Sequence, residues 1–175
     1  MDYEQQLIDR ITKVLVQLNH LSTTDATALH EAFRESEVER FEEFLLDEDV
    51  VSKEDLLAAL EIYYKLPAID VVGILFEHNL IIKFPKEIML SHGFIPYQQD
   101  GDILQVIAAR PQDAELPEII SEYVSYETVF MVGIYRDICD AAKEFHDQAL
   151  TLVEEDEDEE RELLDALEEI IEEED

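Results

Sequence analysis

The chain has 175 residues, 47% of them apolar, enough to bury the core of one compact domain or of two small ones. Its formal net charge of −33 sets it against nucleic acid and anionic membrane surfaces and favours basic partners. The single cysteine, Cys139, excludes an internal disulfide and a multi-cysteine metal site, and the N-terminus lacks the basic region and apolar core of a secretory signal, so a cytoplasmic protein is expected.

From Tyr3 to Leu18, Leu7, Ile11, Val14, Leu15 and Leu18 recur at three- and four-residue steps and predict one face of a helix. "LSTTDATALHEAF" supplies capping hydroxyls ahead of Ala26, Leu29 and Phe33, so a second, shorter helix follows. The arrangement then recurs. Val38, Phe41, Leu45 and Leu46 form a stripe, "DEDVVSKED" breaks it, and Ser52 can cap a helix bearing Leu56, Leu57, Leu60 and Tyr64. Glu54 and Asp55 in its first turn suit the positive end of the helix dipole. Two imperfect helix-loop-helix units, neither able to bury its stripe alone, predict a four-helix bundle over residues 1–65.

Past Leu66-Pro67 the period changes. The stretch from Leu66 to Ile82 is the most apolar in the chain, but Asp70, Glu77 and His78 interrupt it and it is too short to span a bilayer; a short strand fits around Ala68 to Val71. Pro85 predicts the first position of a helix that ends at Gly93. Phe94 to Gln98 and Ile103 to Ala109 read as two strands of a hairpin turning at Asp100-Gly101. Pro117 opens a helix with Ile119, Ile120 and Tyr123, "YETVFMVGIY" reads as a strand buried on both faces, and Ile138, Ala141, Ala142 and Phe145 mark a closing helix. The expected class is α+β: the bundle, then a small α+β domain over 66–150 with the hairpin at its centre, then an acidic segment over 151–175.

That last segment holds fifteen of the acids between Glu154 and Asp175, against one base, Arg161. Self-repulsion predicts an extended linker between Val153 and Glu160. Beyond it, Leu163, Leu164, Leu167, Ile170 and Ile171 gather on one stripe of an amphipathic helix, the candidate partner-binding face. The stripe would seat on its own domain, on a second copy as a homo-oligomer contact, or in an apolar groove with a basic rim on a partner.

Chemistry is sparse. Gly73, Gly93, Gly101 and Gly133 are isolated and form no phosphate loop. The five histidines show no close metal-ligand spacing; Cys139 and His146 can share a helix face, which a core thiol beside a rim imidazole explains. Asp100 and Asp102 are accounted for by the turn and by solvent. The expectation is a non-enzyme with no catalytic residues, cofactor or metal.

"LPAID", "FPKEIMLSHGFIPYQQDGDILQVIAARPQD" and "DICDAAKEF" resemble the N-terminal domain of type II secretion and type IV pilus assembly ATPases, with Pro67, Pro85, Pro96, Gly101, Leu104, Pro111 and Asp113 in matching order. The resemblance covers about Phe41 to Leu150, with a weaker echo in the first helix pair. In several members the preceding bundle binds cyclic di-GMP through two tandem copies of a motif of Arg-Leu-Gly, spaced leucines, a second glycine and a final Gln. Arg40, Leu45, Leu56 and Leu60 fit the second copy, with Phe41 for its first Leu, Glu42 and Asp49 for the glycines and Tyr63 for the Gln. Arg10, Ile11 and Leu15 fit the first loosely, with Thr12 and Asn19 at the glycine positions. A carboxylate at such a glycine would repel two phosphates, so the bundle reads as kept for packing.

The family's catalytic domain does not follow in this sequence, so a stand-alone relative or a fragment is expected, the acidic tail favouring the first. The resemblance implies a non-catalytic adaptor or regulatory module that docks on a protein partner of the secretion or pilus machinery. The alternatives are a cyclic di-GMP receptor with a degenerate motif and, from charge alone, an acidic mimic that occupies a nucleic-acid-binding protein.

Overall fold

The computed structural model describes residues 3–173. Four helices come first: α1 (Tyr3–Gln17), α2 (Thr23–Glu35), α3 (Phe41–Asp47) and α4 (Lys53–Tyr64). Their apolar stripes meet in one cluster in which Leu7, Ile11, Leu15, Phe41, Leu45 and Leu56 are fully buried. Phe33, Phe41 and Phe44 pack edge-on and stacked at centroid distances of 5.3, 5.4 and 6.3 Å, filling the space between the two helix pairs. The expected bundle is present.

A short helix, α5 (His78–Ile81), follows an irregular segment. Its four residues are too few to show a period, so hydrophobic patterning carries no sign of it. The strand expected near Ala68 is a single bridge to Val132, with the Ile69 N–H donating to the Val132 carbonyl at 2.9 Å. Helix α6 (Lys86–His92) begins one residue after Pro85, which serves as its N-cap, and ends on Gly93 at φ 65°. A Cβ there would lie 2.8 Å from Tyr135 Cδ2, so both the backbone angle and the close ring require glycine.

Strands β1 (Phe94–Asp100) and β2 (Ile103–Ala108) pair antiparallel, and β3 (Glu127–Val132) joins β2 in parallel through α7 (Glu115–Ser121), giving the order β1-β2-β3. Two expectations are corrected here. The turn is Gly101-Asp102, one residue later than Asp100-Gly101, because Asp100 still pairs with Ile103 as the end of β1. Gly101, at φ 59°, takes the first turn position, and the Asp102 carbonyl accepts from the Glu127 N–H at 2.8 Å, tying the turn to β3. β3 is an edge strand with only Met131 and Val132 buried, not a strand covered on both faces. Pro96 sits on the opposite edge, next to a register shift between Pro96 and Gln98, where its missing N–H costs no ladder bond.

The final helix, α8 (Tyr135–Glu173), runs 39 residues without a break, about 58 Å at 1.5 Å per residue. The extended linker expected between Val153 and Glu160 is therefore helical. Glutamate's high helix propensity and the helix already formed upstream outweigh repulsion among the acids. The first third of α8 packs through Ile138, Ala142 and the half-buried Phe145 onto the second cluster, built around Phe84, Phe94 and Ile107. Lys53 of α4 reaches Asp137 at 2.9 Å and helps to fasten α8 to the bundle.

Candidate functional site

The two helix-loop-helix units are related by an offset of thirty residues, and the match extends to their caps. At the end of α1 the His20 N–H donates to the Leu15 carbonyl at 3.0 Å around Asn19 at φ 61°. At the end of α3 the Val50 N–H donates to the Leu45 carbonyl at 3.0 Å around Asp49 at φ 53°. Ser22 and Ser52 then cap α2 and α4, accepting from the Asp25 and Asp55 N–H groups at 3.1 Å in each case. Asn19 and Asp49 stand where the resemblance expects two of the motif's glycines. The left-handed conformation that glycine would supply is kept by the two other residue types that tolerate it.

The remaining motif positions are filled from within. Leu15, Leu45, Leu56 and Leu60 are all buried in the bundle core. Thr12 is buried; its hydroxyl donates to the Ile8 carbonyl at 2.6 Å and lies 3.2 Å from His30 Nε2. Thirty residues on, Glu42 is buried and receives the Arg110 guanidinium, which also reaches Glu4 at 3.3 Å. Burial by itself would push the Arg110 guanidinium down, but the Glu42 carboxylate outweighs it and holds the group above its ordinary value. Arg40 lies over the Tyr135 ring, its Cζ 3.6 Å from the centroid, while the Tyr135 hydroxyl donates to the Leu90 carbonyl at 2.9 Å. Of the two motif arginines, only Arg10 is exposed.

The structure thus brings the framework leucines together and separates the polar residues, of which Thr12, Arg40 and Glu42 are engaged by the chain's own groups. Arg110, which no sequence motif singles out, is the residue that pairs with Glu42. Its only local signal was its position beside Pro111 in the matching pattern. Between α1 and α2 lies a groove of about 460 Å³ bordered by Lys13, His30 and Arg34 but also by Asp9 and Glu31. Cys139 is buried, and burial pushes its thiol up, away from reactivity. Among the described residues no cluster of three His, Cys, Asp or Glu side chains could hold a metal.

The third candidate is the stripe on α8. Leu163, Leu164, Leu167, Ile170 and Ile171 are 66, 61, 55, 56 and 65% exposed, and every residue from 150 to 172 is exposed. The stripe does not seat on its own domain. Five large aliphatics held in water across nine residues are an unpartnered apolar face.

Residues 64–152, just over half of the chain, match the model of the MshEN domain. The chain belongs to the MshEN domain family. Its kinship is with the N-terminal domains of type II secretion and type IV pilus assembly ATPases. Among solved structures, MshE solved with cdg is similar in fold, with a TM-score of 0.62 and 18% identity over 78% of this chain and 98% of that one. The N-terminal domain of XpsE is similar with a TM-score of 0.53, again at 18% identity, over 82% of this chain and 96% of that one. No curated protein matches in sequence. The likeness to MshE reaches well beyond the MshEN match, whereas the distal half of α8 lies outside that match. Among the described residues no helix is long and apolar enough to cross a membrane.

Proposed function

We propose that this chain is a non-catalytic docking and regulatory module that carries a protein partner of the secretion or pilus machinery on its acidic C-terminal arm. The three-part division at 1–65, 66–150 and 151–175 belongs to this reading: bundle, MshEN body and arm. The observation that carries it is the exposed stripe from Leu163 to Ile171, on a helix that packs on the body at its base and is bare at its tip. Deleting Glu162 to Asp175 tests it. The truncated chain should keep its melting temperature and lose binding to the cytoplasmic region of the machinery's inner-membrane component. Retained binding overturns the docking role of the arm, and a lowered melting temperature returns the stripe to the fold.

A second reading, a cyclic di-GMP receptor, draws on MshE, solved with cdg, and on the glycine-like backbone kept at Asn19 and Asp49. Against it, Thr12 and Glu42 fill the remaining glycine positions and Arg40 is stacked on Tyr135. Calorimetric titration with cyclic di-GMP should give no binding tighter than about 10 μM. Tighter binding that is lost in Arg10→Ala would establish the receptor reading.

A further inference from the structure

Along α8 a single seam repeats at alternating steps of four and three. Cys139, Ala142, His146 and Ala149 lie on it, all buried against the body. The same seam continues through Val153, Asp156, Glu160, Leu163, Leu167 and Ile170, all exposed. Leu164 and Ile171 flank it on one side and broaden the apolar face. A seven-residue apolar repeat is what one helix presents to another in a coiled coil, where residues of this seam insert between four residues of the facing helix. The face that packs on the body thus carries on into solvent at its tip.

The seam is interrupted once, by two acids. Asp156 and Glu160 occupy consecutive core positions, and Glu157 and Glu159 stand on either side of them. In a parallel pair formed by two copies, each of these acids would face its own counterpart in the interface. Like charges held together there cost far more than exposed surface pairs, and the rest of the tip, with Arg161 as its lone base, offers nothing to offset them. A partner with cations at those positions turns the same layer into paired charges that fix register, the best-attested use of polar groups in coiled-coil cores.

Resting on the docking reading above, we propose that the distal half of α8 forms a heterotypic coiled coil. Its partner helix presents large aliphatics opposite Leu163, Leu167 and Ile170, and lysine or arginine opposite Asp156 and Glu160.

The test uses the full chain and synthetic helical peptides of about four heptads. One peptide set has leucine in its core positions with two adjacent lysines there, placed toward either end so that parallel and antiparallel pairings are both offered. A control set has the same composition in scrambled order. The in-register peptide should bind at least tenfold more tightly than the scrambled one in about 0.15 M salt, where exposed charges are screened beyond about 8 Å. Leu163→Glu with Leu167→Glu should abolish that preference. The chain carrying Asp156→Leu and Glu160→Leu should self-associate in the ultracentrifuge, while the unaltered chain should not. Equal binding of the scrambled peptide would mean charge attraction alone, and self-association of the unaltered chain through the tip would mean a second copy is the partner; either overturns the proposal. If the peptides fail but the truncation still removes the machinery partner, the docking reading stands and only the coiled-coil geometry falls. If the truncation changes nothing, both fall.

Discussion

Arg110 and Glu42 form the most consequential polar contact among the described residues. The side chains are 14 and 7% exposed, so removing the arginine leaves a carboxylate stranded out of water. Arg110→Ala should cost about 3 kcal/mol in urea denaturation, whereas Arg110→Met combined with Glu42→Leu should recover most of that loss, because an apolar pair has no charge to desolvate. If the double variant is as unstable as the single one, the pair is not the source of the effect. Gly101 makes a smaller demand. A Cβ there would meet nothing within 4 Å, so the cost of Gly101→Val is backbone strain at φ 59° alone. It should lower stability by about 1 kcal/mol, and an unchanged melting temperature would show that the turn adapts freely.

Helix α8 is an element pulled in two directions. Its proximal third is held by buried contacts, while its tip carries acids at like-charged four-residue spacings and ends on the negative pole of the helix dipole. Salt screens both penalties. Raising sodium chloride from about 0.01 M to about 1 M, which shortens the screening length from roughly 30 Å to roughly 3 Å, should increase far-ultraviolet helical signal in the full chain. The same titration of the chain truncated after Glu160 should show a smaller rise, and equal rises would place the effect elsewhere. The sequence held much of this element structure because the decisive forces were local. Ser52 capping α4, Gly93 stopping α6 and the spaced leucines of the bundle each act within a few residues. It misled where a choice depended on distant partners. The turn moved to Gly101-Asp102 because strand register, set by burial of Leu104 and Val106 across the sheet, decides which residue turns. The segment from Val153 to Glu160 is helical rather than extended because the helix already propagating from Tyr135 outweighs repulsion among its acids. The neutralisation of Glu42 could not be read at all, since Arg110 lies 68 positions away.

At the scale of the molecule, two apolar clusters meet at the end of β3. Val132 and Ile134 belong to the bundle cluster, while the neighbouring Met131 belongs to the other. The body is thereby joined to the bundle through a strand end, Lys53–Asp137 at 2.9 Å, Arg136–Asp47 at 2.9 Å and the Arg110 clamp. Against this joined mass the tip of α8 is an appendage. Acids make up most of its exposed polar surface, so a basic protein is drawn to the tip before it meets the body.

The clamp also has a history within each folding event. Arg110 reaches Glu42 across 68 positions and Glu4 across 106, so it is expected to close only after the hairpin and the bundle have each taken shape and come together. Closing such long loops costs chain entropy, which favours forming local structure first, so the clamp is expected to close late. Arg110→Ala should therefore leave the refolding arm of a chevron plot almost unmoved and raise the unfolding arm by nearly the whole of the lost stability. A matching fall in the refolding rate would mean that the clamp is already made at the barrier. If only the unfolding arm moves, the Arg110–Glu42 salt bridge acts as a latch: late to engage, it sets how long the assembled molecule survives before it next comes apart.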